Sequence, residues 1–134
     1  MRILIVHNKY RAKGGEDNVV DNEMAALRLL GHEVRAYIRT NDETKNLLTR
    51  LKLSFSAIWS SRTYKEIDNL IRDFRPEVMH VHNTWMMISS SCYWAAQKNG
   101  VPVVQTLHNY RLFCPSAIFF RDGHICEDCV GKFF

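Results

Sequence analysis

Short apolar runs alternate with longer helical stripes along this chain. Arg2–Val6 is a continuous apolar run that gives way to polar His7-Asn8, the pattern of a strand buried on both faces. Residues 7–16 read as a loop containing Gly14-Gly15. Asp17 is placed to cap a helix over 18–30, with Val20, Met24, Leu27 and Leu30 on one face and Gly31 at its end. Glu33–Ile38 reads as a second strand. Asn41-Asp42-Glu43 opens a helical region in which Leu47, Leu48, Leu51, Phe55, Ile58 and Trp59 recur near the helical period. A further helix carries Ile67, Leu70, Ile71 and Phe74 and stops at Pro76. Glu77–Val81 is a third strand, residues 88–98 a helix, and Pro102–Leu107 a fourth strand.

The order β-α-β-α-α-β-α-β predicts an α/β domain with a Rossmann-like parallel sheet and flanking helices. A strand order of 3-2-1-4 makes strands 1 and 4 neighbours across the topological switch. It brings the loop after strand 1 beside His108 and leaves strand 3 farther away. After Leu107 the pattern stops, and residues 108–134 show no further clear strand–helix unit. A doubly wound sheet ordinarily continues past its switch, so residues 1–134 are expected to be one incomplete, N-terminal domain of a longer protein.

Composition narrows the class without deciding it. With 46% hydrophobic and 24% charged residues the sequence is that of an ordinary globular protein. No apolar run approaches the ~20 residues of a membrane span, and Met1–Val6 is too short for a signal sequence. A cytoplasmic protein is expected. Between Lys45 and Lys65 lie Lys45, Arg50, Lys52, Arg62 and Lys65 with no acid. That stretch suits either contact with anionic lipid at the inner face of a membrane or a solvated helix face. No nucleic-acid motif is present, and none is expected as a partner.

The chemistry-bearing residues collect at strand ends, where open parallel sheets bind ligands. His108 follows the fourth strand, and imidazole is the side chain suited to proton exchange near neutral pH. His82 follows the third strand and Asn8 the first. Gly14-Gly15-Glu16 joins a glycine turn to a helix start, which can admit a ligand to the backbone. Asn109 and Arg111 flank His108; Arg111 is either an anion contact or a surface arginine. Cys114, Cys126 and Cys129 are spaced C-x11-C-x2-C. With His124 as fourth ligand they suit a structural zinc ion; otherwise they are reduced thiols in a loop. Cys92 reads as a small buried residue.

Four segments taken together carry a resemblance. They are Val-His-Asn-Lys-Tyr…Gly-Gly-Glu-Asp (6–17), Gly-His-Glu-Val (31–34), Arg-Pro-Glu-Val-Met-His-Val-His-Asn-Thr (75–84) and Val-Pro-Val-Val-Gln-Thr-Leu-His-Asn-Tyr-Arg (101–111). Their order and spacing resemble the N-terminal, acceptor-side domain of family 4 glycosyltransferases. The resemblance implies a GT-B fold, of which this chain is one half. It implies transfer of a sugar, with retention, from a nucleotide-sugar donor to a glycan or lipid-linked acceptor in polysaccharide biosynthesis. It implies that His108 lines the reaction centre as the catalytic candidate. It also implies that Gly14, Gly15 and Glu16 face donor diphosphate and acceptor, with Asn8, His82, Asn109 and Arg111 as further substrate contacts.

No cofactor is required on that reading. The paired glutamates of the donor domain have no counterpart here, so the isolated chain is expected to be inactive and to self-associate through uncovered apolar surface. The alternative is a non-catalytic α/β binding module with a zinc-binding, cysteine-rich C-terminal loop.

Overall fold

The computed structural model describes residues 1–10, 14–40, 58–85 and 87–132. Its elements are β1 (Arg2–Lys9), α1 (Gly15–Leu29), β2 (Glu33–Thr40), α2 (Ser61–Phe74), β3 (Val78–Val81), α3 (Ser91–Lys98), β4 (Val103–Gln105), β5 (Phe120–Arg121) and β6 (His124–Ile125). β1–β4 form a parallel sheet flanked by helices, the expected Rossmann-like class. The helical region expected from Asn41 lies mostly outside the described residues, as does most of the Lys45–Lys65 basic stretch.

The strand order is β2-β1-β3-β4, not 3-2-1-4. β1 pairs with β2 along its whole length, from Arg2↔Glu33 to Lys9↔Thr40, and with β3 from Ile3↔Val78 to Val6↔Val81. Burial explains the order. Ile3–Asn8 are six consecutive buried residues, so β1 needs a neighbour on each edge. Met79 and Val81 of β3 are wholly buried, whereas all three residues of β4 are exposed and suit an edge. The switch therefore lies between β1 and β3, and the end of β3 is central to it.

Alternation along β1 divides the core in two. Leu4 and Val6 pack with Met79, Val81, Ile67, Ile71, Phe74 and the Ala95–Ala96 turn of α3 on one face. Ile3 and Ile5 meet Val20, Met24 and Leu27 of α1 on the other. Two details of α1 differ from expectation. Gly14, not Asp17, is the N-cap; Asp17 sits one turn in and accepts a hydrogen bond from Gly14 N–H at 2.9 Å. Leu30 is exposed rather than part of the core face, because the helix ends at Leu29 and the chain turns away at Gly31 (φ 81°). Past β4, the short antiparallel pair β5–β6 (Phe120↔Ile125, Arg121↔His124) turns through Asp122-Gly123, which sequence periodicity did not reveal.

Truncating Leu4, fully buried between the layers, to Ala is expected to cost about 2–5 kcal/mol of unfolding free energy. Leu29→Ala, at a position 90% exposed, is expected to change it by less than about 0.5 kcal/mol. Urea unfolding of the two variants checks the assignment of inside and outside.

Candidate functional site

The site is built at the carboxyl ends of β1, β3 and β4, where a cleft of about 530 Å³ opens. Glu16, His82, His108, Asn109 and Arg111 line it, together with the exposed ring of Trp85. Five of the eight residues singled out as catalytic or substrate contacts thus meet in one place. Asn8 lies behind the cleft: its backbone N–H donates to Asn83 C=O at 2.7 Å, and its side-chain amide donates to Trp85 C=O. Gly14 and Gly15 stand next to Glu16 at the start of α1. Neither has positive φ, and a Cβ on either would meet nothing within 4 Å among the described residues. Their backbone conformation does not require glycine; what glycine leaves there is open space.

Glu16 ties three elements together. Its carboxylate accepts from Asn83 Nδ2 at 3.4 Å and from Asn109 Nδ2 at 3.3 Å. The residues following β3 and β4 are thereby both fastened to the first turn of α1. Asn109 Oδ1 in turn accepts from Arg111 N–H at 3.1 Å, and Asn83 Oδ1 from Trp85 N–H at 2.9 Å. These are Asx-type turns that reverse the chain at the cleft mouth.

Four histidines occupy the α1 side of the sheet. His7 is fully buried, and its Nε2–H donates to Asp17 at 2.9 Å. Burial alone would raise the Asp17 carboxyl, but the Gly14 N–H and His7 outweigh it and hold it below its ordinary value. His80 Nδ1 lies 2.6 Å from Glu23, and its Nε2 lies 2.8 Å from Thr106 Oγ1. His82, 3% exposed, stacks on His80 at 4.3 Å and on His108 at 5.3 Å. Its Nδ1 meets His108 Nε2 at 3.0 Å, and its Nε2 lies 3.6 Å from Glu23. Burial pushes the His82 pKa down to about 4, reinforced by His80, His108 and His7. His82 is therefore neutral at pH 7, and His108 is braced from behind by a neutral ring.

Residues 14–125 match the family described as glycosyl transferase 4-like domain. The chain belongs to that family. No curated protein matches the chain, and no solved structure matches it either. Among the described residues, no helix of this glycosyl transferase 4-like domain is long and apolar enough to cross a membrane.

Ligand-type side chains converge elsewhere than the cysteine spacing suggested. Among the described residues, the group whose ligand atoms approach within a common ion's reach is Glu23, His80 and His82. Cys114, Cys126, Cys129 and His124 do not form such a group. Cys114 contacts Ser116 Oγ at 3.1 Å, and that hydroxyl with the Phe119 backbone N–H lowers its thiol to about 7. Cys126 points its thiol toward Asp128. Cys92 is buried as expected, and burial lifts its thiol to about 12.

Glu23, His80 and Thr106 were not foreseen as part of the site, though a signal exists. Glu23 falls on the Val20–Met24–Leu27 stripe, where an acid needs a buried partner. His80-Val81-His82 puts two imidazoles on one strand face at the period of two.

The neutral His82 makes stability depend on pH. The unfolded chain binds a proton below pH 6.5 that the folded chain refuses until about 4. The stability this contributes is complete above 6.5 and is lost as pH falls toward about 4. The expected slope in that window is up to about 1.4 kcal/mol per pH unit. Glu23, His80, His108 and His7 face the ring and stay unchanged in a His82→Gln variant, whose urea-unfolding profile should be flatter over the same window.

Proposed function

We propose that this domain forms the acceptor-side wall of a glycosyltransferase that moves a sugar from a nucleotide-sugar donor to a glycan or lipid-linked acceptor. Family membership supports sugar transfer. The observation that carries the residue assignment is His108, which lines the cleft while its Nε2 is held against buried His82. A ring anchored on one nitrogen is pre-oriented toward substrate by the other, and fixed orientation is what catalytic groups need.

In the proposed reaction the bond between the donor's anomeric carbon and its phosphate oxygen breaks, and a bond from that carbon to an acceptor hydroxyl oxygen forms with retention. The acceptor proton leaves toward the departing diphosphate. His108 hydrogen-bonds the reacting sugar rather than serving as an obligatory base. Glu16, Asn109 and Arg111 shape the same cleft, Arg111 beside the anionic part of a substrate. The open space over Gly14 and Gly15, at a helix N-terminus, admits donor diphosphate or acceptor. No metal is needed for these roles. The protein acts in the cytoplasm, at the inner face of the membrane where acceptors are lipid-linked.

The test uses the native full-length protein and a panel of nucleotide sugars, read as nucleoside diphosphate release in the presence of acceptor extract. His108→Ala is expected to lower turnover by about 10²-fold or more with the fold intact. Turnover equal to the unaltered protein would remove His108 from the reaction centre. The Cβ of Gly15→Val meets none of the described residues within 4 Å, so its unfolding midpoint should be unchanged while the KM for donor or acceptor rises.

A further inference from the structure

The stacked column of His80, His82 and His108 ends in the cleft and begins at Glu23, a residue that touches no part of the cleft. A carboxylate oxygen carries lone pairs and no hydrogen. The ring nitrogen 2.6 Å from Glu23 Oε1 is therefore an N–H, which puts the His80 proton on Nδ1. In the neutral ring His80 Nε2 is then bare and accepts the Thr106 hydroxyl at 2.8 Å.

The same argument passes to His82. Its Nε2 is buried, has no hydrogen-bond partner, and lies 3.6 Å from the other oxygen of Glu23. A bare nitrogen there would set lone pair against lone pair in a poorly solvated site, whereas an N–H is attracted. That puts the His82 proton on Nε2 and leaves Nδ1 bare. The 3.0 Å contact from His82 Nδ1 to His108 Nε2 needs one proton, and only His108 is left to supply it. His108 Nδ1 is then the bare nitrogen, and no protein group takes it among the described residues.

We infer that Glu23 is a positioning residue which, through His82, fixes His108 in the form that presents a hydrogen-accepting Nδ1 to the cleft. The substrate group it selects is a hydrogen donor, a sugar hydroxyl; a phosphate or carboxylate oxygen would be repelled. This assignment of substrate chemistry rests on the cleft being the sugar-transfer site, but the proton arrangement does not.

Long-range ¹H–¹⁵N spectra of the uniformly ¹⁵N-labelled chain at neutral pH read the proton positions directly. The expected result is His80 protonated at Nδ1, and His82 and His108 both at Nε2. A wild-type His108 protonated at Nδ1 would overturn the proposal, and this needs no variant to fold. In Glu23→Gln, whose backbone amide spectrum reports folding, His82 and His108 should shift toward Nδ1–H, because the amide can donate to His82 Nε2. Glu23→Asp should keep the wild-type arrangement. Unchanged tautomers in a folded Glu23→Gln would also overturn it. Correct tautomers with full turnover in His108→Ala would instead refute only the proposed function.

Discussion

A buried imidazole has to place one N–H and one lone pair. Three of the four histidines on the inner face of this sheet direct a ring nitrogen toward a carboxylate carried by α1. Asp17 serves His7, and Glu23 serves His80 closely and His82 at longer range. Without these acids the polar ends of β1 and β3 would lie unpaired beneath a helix, at a cost of order 1–3 kcal/mol for each unsatisfied group. With them, His7 and His80 are hydrogen-bonded, and His82 Nε2, which has no hydrogen-bond partner, still faces a carboxylate at 3.6 Å. The register Ile5↔His80 keeps these rings on one face, directly above Ile3, Ile5 and Val20.

The same helix organises the mouth of the cleft. Glu16 and Asp17 lie in its first turn, where acids also complement the exposed N–H groups of a helix start. Asp17 closes back on Gly14 and inward on His7. Glu16 reaches across to Asn83 and Asn109. Helix position, strand ends and loop conformation are thus set by a few carboxylates spaced along one amphipathic segment.

Class was legible in the sequence because continuous apolar runs and helical stripes are local signals. Arg2–Val6, the Ile67–Phe74 stripe and the pause at Gly31 each state their own structure. Strand order is not local. It follows from which strand has to be buried on both edges, and the short runs of β3 and β4 look alike until their exposure is compared. That is why His82 was set at the margin of the site and is found beside His108. Glu23 was missed for a related reason: its meaning depends on a strand some 55 residues away. The β5–β6 pair was missed because two-residue strands carry no period. The C-x2-C spacing suggested a site by pattern, yet the ligand-type residues that converge are the ones held by the sheet.

The glycines at the head of α1 have a different kind of consequence. Neither adopts a left-handed conformation, and among the described residues no atom crowds the place where a Cβ would stand. Most positions near a cleft confound two demands, since changing them disturbs folding and binding together. At residues 14 and 15 the fold makes almost no demand. Any intolerance to side chains there is information about an incoming molecule, and a graded series of side chains at these two positions would act as a ruler for its size and closeness.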